Sequence, residues 1–233
     1  MTHPPAIELA RGVWRVPTVR GPWLNCFVLG HDDGSVTLVD TGMSWGPKRV
    51  LAALDHLGRR PADVRRIVLT HAHIDHAGGA AELVRRTGAP VAVHRDDVPY
   101  AGQGIPPRSD TATRGGRLMA RLPRARFPAV PVSETLLDGQ VVDGLRVVAT
   151  PGHTPGHISL LHEPTGVLVV GDALMNWGRP RISPGALCSD AALCRDTVVR
   201  LAELEPEVVA FCHGPETEPA VVREYLKRAD GAA

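Results

Sequence analysis

The stretch His71-Ala72-His73-Ile74-Asp75-His76 carries four side chains of metal-ligand type within six residues. An apolar run at residues 65–70 precedes it, and Gly78-Gly79 leads from it into residues 80–86, which have helical periodicity. The motif is therefore predicted to lie on a tight turn between a buried strand and a helix, with alternate residues pointing the same way. Histidine and aspartate without a thiolate favour zinc, iron or manganese over a structural cysteine site.

Three further candidate ligands stand at the downstream ends of predicted strands. They are His153 after residues 147–150, Asp172 after residues 168–171, and His213 after residues 208–211. Open sheets place their sites at such strand ends, so the seven candidates are expected to converge. A solvated histidine-rich turn would explain the first motif, but it would not explain this shared placement.

The full pattern resembles that of the metallo-β-lactamase-fold hydrolase superfamily over nearly the whole chain. The resemblance implies that His71, His73 and His153 hold one metal ion, that Asp75, His76 and His213 hold a second, and that Asp172 bridges them. Because position 76 is histidine, the chain resembles the dinuclear branch of this superfamily. That branch includes glyoxalase II and the acyl-homoserine lactonases. The fold that this implies is α/β (α+β), a four-layer αββα sandwich forming a single domain over residues 1–233.

Length and composition fit a single compact enzyme, and the resemblance implies a small-molecule substrate. A chain of 233 residues with 43% hydrophobic content can bury one sizeable core. A formal net charge of +1 gives no global field to attract nucleic acid or an anionic membrane, so neither is expected as a partner. No apolar stretch has transmembrane length, the N-terminus lacks a secretory pattern, and the four cysteines lack CxxC spacing. We therefore expect a cytoplasmic location with reduced thiols.

Periodicity and turn residues predict an alternation of strands and helices along the chain. Strands are expected at residues 12–19, 23–30, 35–40, 65–70 and 89–94, and in a second half at 134–137, 144–150, 158–162, 167–171 and 208–211. Helices are expected at residues 46–57, 80–86, 190–205 and 218–227. The second half is predicted to begin near Val132.

Residues 95–131 are rich in proline, glycine and arginine and lack sheet periodicity. A segment of this length is typical of a functional lid, so we expect it to cover the metals, with a short helix at residues 114–126. The arginines of that helix are interpreted as a solvated face, with binding of a substrate carboxylate or phosphate as the alternative.

Several side chains near the ligands have less certain roles. The resemblance implies that Asp40 orients a ligand histidine, although a simple turn or cap role is equally consistent with the sequence. His157 competes with His153 as a ligand, and the resemblance favours His153, leaving His157 a role in packing or hydrogen bonding. Met175 stands where the similar lactonases carry a tyrosine, so Trp177 and Arg179 are candidates to line the substrate pocket instead.

The implied cofactors are two divalent ions, with zinc expected and iron or manganese as alternatives. Such a pair lowers the pKa of a shared water toward about 7, and Asp75 and Asp172 are the expected catalytic residues. We expect hydrolysis of a small ester, thioester or lactone. The alternatives are a mononuclear iron enzyme similar to a persulfide dioxygenase, and a phosphodiesterase. Twenty residues follow His213, too few for the helical domain of glyoxalase II, and Met175 stands in place of the lactonase tyrosine. We therefore expect the chain to match neither named relative closely.

Overall fold

The computed structural model describes residues 4–230, which form two compact units. The first contains the chain up to Pro106 together with Ala125–Leu136, and the second contains Pro107–Arg124 and the chain from Leu137 onward. Both units combine helices with β-sheet, which confirms the predicted mixed α/β class. Within residues 4–230, none of the helices is both long and apolar enough to cross a membrane. The single domain with a lid at residues 95–131 stays a prediction.

The first unit is built on one sheet. Its strands are β1 Ile7–Ala10, β2 Val13–Pro17, β3 Asn25–Gly30, β4 Val36–Val39, β5 Val64–Leu69, β6 Val91–His94 and β7 Val132–Leu136. In the described residues they lie in sequence order, with antiparallel pairs from β1 to β4 and parallel pairs from β4 to β7. Strands β4 and β6 are buried along their whole length and rich in valine, which is typical of central parallel strands.

Four helices accompany this sheet. They are α1 Gly46–His56, α2 Ile74–Ala77, α3 Ala80–Thr87 and α4 Val98–Gln103. Pro47 lies in the first turn of α1, where its missing N–H leaves no hydrogen bond unmade. Val50 and Leu54 of the same helix are buried in one apolar cluster with Val36 and Ile67 of the sheet. The apolar side chains of α1 therefore belong to the core of the first unit.

The last strand of this sheet corrects the prediction for residues 134–137. That run was assigned to the second half of the chain, but it forms β7, which pairs in parallel with β6 in the first unit. The assignment was wrong because an apolar run does not show which sheet it joins. A parallel partner can follow a long crossover, here residues 95–131. Strand β1 was also missed, because it is a short, half-buried strand at the edge of the sheet.

The second unit has a separate sheet and a hairpin. Its strands are β8 Val141–Val142, β9 Leu145–Ala149, β10 Ile158–His162, β11 Val167–Val169, β12 Leu174–Asn176, β13 Pro180–Ile182 and β14 Val208–Ala210. Its helices are α5 Arg114–Met119, α6 Ala191–Val198, α7 Arg200–Glu203 and α8 Pro219–Asp230. The sheet order in the described residues is β14-β11-β10-β9-β8, and β12 pairs with β13 apart from it.

Strand directions in this unit explain why its candidate ligands share an edge. Both β9 and β11 run antiparallel to β10, and β14 runs parallel to β11. Strands β9, β11 and β14 therefore point the same way, and their C-terminal ends lie on one edge of the sheet. His153, Asp172 and His213 each follow one of these ends.

Two predicted helices are shorter than expected, and β12 and β13 were not predicted. The expected helix at residues 190–205 divides into α6 and α7, although Asp190 caps its start by accepting the Leu193 N–H at 2.9 Å. The expected helix at residues 114–126 is α5, which ends at Met119 and is followed by turns up to Leu122, where Pro123 disfavours helical backbone. Hairpin β12–β13 contains Met175, Trp177 and Arg179, the candidate pocket residues.

We expect Leu54→Ala to lower the free energy of unfolding by about 2–5 kcal/mol, because it leaves a cavity among fully buried side chains. Urea denaturation followed by circular dichroism measures the change. Lys48→Ala, at an exposed position of the same helix, is the matched control and should alter stability by less than about 0.5 kcal/mol. Equal losses in the two variants would contradict the assignment of Leu54 to the core.

Candidate metal centre

In the first unit, the motif leaves β5 and turns into α2. His73 is the extended residue immediately before this helix, and Asp75 and His76 lie within it. This one-turn helix was not predicted, whereas the predicted helix at residues 80–86 is confirmed as α3. Nε2 of His71 lies 3.1 Å from Nδ1 of His73, so the turn brings these two imidazole nitrogens together.

The one-turn helix sets the other two ligand candidates beside this pair. His76 is fully buried, and its ring centroid lies 4.1 Å from that of His71. Nε2 of His76 lies 3.7 Å from Oδ2 of Asp75, whose side chain is 30% exposed. The four candidates of the motif therefore form one cluster in which only the Asp75 side chain and His73 reach toward solvent.

The Asp40 carboxylate contacts Thr70 and His76, which lie at the two ends of this motif. It follows β4 with a φ of 60°, and its Oδ1 accepts the Thr70 N–H at 2.8 Å. Its Oδ2 accepts the Thr70 hydroxyl at 2.8 Å and lies 2.8 Å from Nδ1 of His76. Because Nδ1 of His76 faces this carboxylate, Nε2 is the nitrogen directed toward Asp75. These contacts are the ones that an orienting residue would make, and that role of Asp40 stays a prediction.

Glycine is required where α2 and α3 approach the turn after Asp40. A Cβ on Gly78 would lie 3.2 Å from the Gly42 carbonyl oxygen, and one on Gly79 would lie 2.7 Å from the Thr41 carbonyl oxygen. The Thr41 hydroxyl donates to the His76 carbonyl at 2.6 Å across this contact. Close backbone approach therefore keeps His76 in position above Asp40.

Asp97 is a residue of this site that the sequence did not reveal. It is fully buried, and its Oδ2 accepts the N–H of Ala72, between His71 and His73, at 2.8 Å. Asp97 lies just beyond the end of β6, at the same edge of the sheet. Its place after a strand end was the available signal, but the aspartate belonged to a polar run assigned to the lid.

In the second unit, two histidines face one carboxylate oxygen. Nε2 of His153 lies 3.5 Å from Oδ2 of Asp172, and Nε2 of His213 lies 3.4 Å from the same oxygen. Two ligand atoms held tetrahedrally by one zinc ion, each about 2.1 Å from it, lie about 3.4 Å apart. The spacing and donor types of this group therefore fit a divalent metal.

His153 and His213 are each held by a neighbouring segment. Nδ1 of His153 lies 2.9 Å from the Ser183 hydroxyl, so its other ring nitrogen, Nε2, is directed to Asp172. Gly152 precedes His153 with a φ of 127°, and a Cβ there would lie 2.2 Å from the Cys194 amide nitrogen. The His213 carbonyl accepts the Asn176 N–H of β12 at 2.7 Å.

His157 occupies a supporting position. Its Nε2 accepts the backbone N–H of Asp172 at 2.8 Å, and its Nδ1 lies 2.9 Å from the Thr150 hydroxyl. Both ring nitrogens therefore contact protein groups, and the choice of His153 over His157 as the ligand stays a prediction. His157 fixes the backbone from which the Asp172 side chain projects.

The proposed pocket residues differ in exposure. Met175 lies in β12 and is buried, whereas Trp177 is half exposed and Arg179 is exposed. Trp177 and Arg179 lie in the turn between β12 and β13. Their contact with a substrate stays a prediction.

Two buried thiols lie beside the His153 segment. Cys194 donates a hydrogen bond to the sulfur of Cys188, which lowers the pKa of the Cys188 thiol. The same contact, reinforced by burial, raises the pKa of the Cys194 thiol. Because a thiolate is the metal-binding form of cysteine, Cys194 is a poor ligand and is better described as a packed thiol.

Comparison with known proteins identifies relatives along most of the chain. Probable metallo-hydrolase YflN of Bacillus subtilis (strain 168) is 29% identical over 226 residues, which cover 89% of this chain and 85% of YflN. Hydroxyacylglutathione hydrolase of Rhodobacter capsulatus, a glyoxalase II, is 32% identical over 203 residues, covering 87% of this chain and 66% of that enzyme. N-acyl homoserine lactonase of Bacillus thuringiensis is 27% identical, with 86% of each chain covered.

A solved structure and a family description agree with these relatives. A metallo-β-lactamase family protein from Thermus thermophilus matches with a TM-score of 0.71 and 27% identity, covering 97% of this chain and 81% of that one. The family described as "Metallo-beta-lactamase superfamily" matches residues 24–213, which include all seven candidate ligands. The chain therefore belongs to the metallo-β-lactamase superfamily.

Proposed function

We propose that this protein is a dinuclear metal-dependent hydrolase that cleaves a small ester, thioester or lactone. The observation that carries the proposal is the approach of two imidazole nitrogens, from His153 and His213, to one oxygen of Asp172 at 3.5 and 3.4 Å. A carboxylate flanked in this way is suited to bridge two cations, each bound by one of the histidines. Family membership and the hydrolase relatives support the same reaction class.

The proposed ligand sets follow the family pattern. His71, His73 and His153 would hold one ion, and Asp75, His76 and His213 would hold the second, with Asp172 shared between them. The donors are imidazole nitrogens and carboxylate oxygens without a thiolate, which fits zinc and leaves iron or manganese as alternatives. Asp40 and Ser183 would keep His76 and His153 in the tautomers that direct Nε2 to the metals.

The chemistry divides between the cations and the side chains. When bound, two divalent ions lower the pKa of a shared water toward about 7 and polarise the scissile carbonyl. The partly exposed Asp75 carboxylate would accept a hydrogen bond from the attacking oxygen and carry its proton to the leaving atom. Asp172 would keep its charge between the cations, with its backbone held by His157.

We propose that the substrate is a small molecule and that residues 95–131 cover it as a lid. The proposed location of the protein is the cytoplasm. Thioesters and lactones are favoured because relatives include a hydroxyacylglutathione hydrolase and an N-acyl homoserine lactonase. The chain spans 66% of the length of that first enzyme, so its full substrate contacts are not carried over. The alternatives, an iron-dependent persulfide dioxygenase and a phosphodiesterase, are separated by the experiment below.

We expect the protein purified without added metal to contain about two equivalents of zinc and to hydrolyse at least one thioester or lactone. Elemental analysis measures the metal, and a panel of thioesters, lactones, aryl phosphodiesters and a persulfide measures the reaction. Asp172→Ala should lose bound metal and reduce kcat/KM by at least about 1,000-fold. His56→Ala, on α1 outside both ligand clusters, is the control and should match the parent protein.

The outcomes of this experiment distinguish the proposals. One equivalent of iron with oxygen uptake would replace the hydrolase by the dioxygenase, and turnover restricted to the phosphodiesters would replace the ester substrate class. Full activity of Asp172→Ala would reject the bridging role of that carboxylate.

We expect Ser183→Ala to weaken zinc binding about 10- to 100-fold, because Nδ1 of His153 would lose the hydroxyl that orients the ring. Competition with a chromophoric chelator measures the affinity. Ser35→Ala removes a hydroxyl that bonds Asp33 in the turn before β4, and it should leave zinc affinity unchanged. If Ser183→Ala binds zinc as tightly as the parent, the hydroxyl does not position His153.

A further inference from the structure

Helix α5 packs on the second unit through its glycines and exposes its larger apolar side chains. A Cβ on Gly115 would lie 2.8 Å from Cβ of Ala186, so the helix backbone lies close against the turn that contains Ala186. The exposed fractions of Leu118 and Met119 are 63% and 37%, and that of Leu122, in the turn after the helix, is 52%. A surface helix usually buries its apolar side, so the orientation of α5 is the reverse of that of a helix that serves the core.

Arginines lie beside these apolar side chains. Arg114, Arg117 and Arg121 are exposed, and within residues 4–230 none of them forms an ion pair with a carboxylate. Residues four apart on a helical segment are neighbours, so Arg117 and Arg121 form one row and Leu118 and Leu122 form the next. We call the following six side chains the α5 patch: Arg114, Arg117, Leu118, Met119, Arg121 and Leu122.

The segment that carries the α5 patch is strongly basic and is fixed to the second unit. Residues 107–124 contain five arginines and one aspartate, a net charge of +4. The aspartate is Asp110, whose N–H donates to the Cys188 carbonyl at 2.7 Å. Its Oδ2 accepts the Ala191 N–H at 3.1 Å, and its Oδ1 accepts the Ala112 N–H at 2.7 Å. The Asp110 carboxylate therefore holds backbone amides, and the arginines of the patch keep their positive charge on the surface.

The two kinds of side chain in the α5 patch need a partner that offers negative charge and an apolar interior side by side. An anionic lipid bilayer offers both, because leucine and methionine side chains enter the hydrocarbon boundary while arginine side chains reach the lipid phosphates. Nucleic acid would pair with the arginines, but proteins hold its bases with aromatic and polar groups, and the leucines would stay exposed. The charge of the segment supplies a local attraction that the whole chain, at +1, lacks.

We propose that the α5 patch binds the surface of an anionic lipid bilayer. Leu118, Met119 and Leu122 insert into the boundary between headgroups and acyl chains, and the arginines of the patch pair with the headgroup phosphates. Each arginine near such a surface strengthens binding by about fivefold, so a patch of this size gives reversible, peripheral attachment. The proposal does not depend on the proposed hydrolase activity.

Sedimentation of the full chain with lipid vesicles tests the proposal. One set of vesicles is phosphatidylcholine alone, and the other contains about 30 mol% phosphatidylglycerol. We expect the partition coefficient to be at least about tenfold larger for the anionic vesicles. It should fall when the sodium chloride concentration is raised from about 0.1 M to about 0.5 M, because salt screens the attraction.

The double variant Arg114→Gln/Arg121→Gln should weaken binding to the anionic vesicles about 25-fold, since it removes two of the arginines that face the headgroups. Arg11→Gln/Arg49→Gln changes the net charge equally at two exposed arginines of the first unit, outside the patch, and should bind like the parent. Circular dichroism checks that each variant is folded.

The double variant Leu118→Ser/Leu122→Ser should weaken binding at least about tenfold without changing the net charge, because it removes the side chains that insert. Its matched control is Leu137→Ser/Val141→Ser, at two exposed apolar positions of the second unit outside the patch, which should bind like the parent.

Four results would overturn the proposal. They are equal binding to the two kinds of vesicle, parent-like binding by either patch variant, an equal loss in a patch variant and its control, and a preference for another polyanion. For the last of these, single-stranded DNA and polyglutamate are added as competitors. Tighter binding of either one than of the anionic vesicles would assign the patch to nucleic acid or to an acidic protein.

Discussion

The buried carboxylate of Asp40 connects the parts of the first unit on which its candidate site depends. It accepts both the N–H and the hydroxyl of Thr70 at the end of β5, and it faces Nδ1 of His76 on α2. Because β4 and β5 are parallel, this one side chain joins two strand ends and the helix that follows them. Hydrogen bonds to a buried charge are stronger than neutral ones, and removing an acceptor leaves its donors unsatisfied. Asp40 therefore fixes the positions of Thr70 and His76 at the two ends of the motif.

The second unit also holds its candidate ligands through a supporting side chain, but the arrangement differs. There the carboxylate is itself a candidate ligand, and a neutral ring supports it: His157 accepts the backbone N–H of Asp172 while Thr150 lies against its other nitrogen. His153 and His213 reach Asp172 from two further strand ends of the same sheet edge. In both units, β-ladders fix the chain up to a few residues before the ligands, and short side-chain contacts orient the imidazoles. Because the backbone and the imidazole rings are already held in this way, the candidate ligands would lose little conformational freedom when a metal binds.

The sequence predicted the residues at strand ends well, because apolar periodicity locates strands and a polar residue directly after a buried strand is conspicuous. Thr70-His71 and Val170-Gly171-Asp172 are examples. It did not reveal Asp97 or Ser183, whose roles arise from contacts with Ala72 and His153 that are distant along the chain. It also assigned β7 to the wrong half, because sheet membership depends on tertiary pairing. Short strands such as β12 and β13 carry too few residues for a periodic signal.

The parallel pairing of β6 with β7 has an evolutionary consequence. Residues 95–131 join two neighbouring strands whose register is set by the ladder and not by the connection. Each doubling of the length of such a loop costs only about 0.6 kcal/mol in closure entropy. Insertions and deletions can therefore accumulate in the exposed stretch of this crossover, residues 121–126, while Asp97 and the residues at the ends of β4 and β5 keep their places. Relatives can diversify in that stretch without altering the strands that carry the candidate ligands.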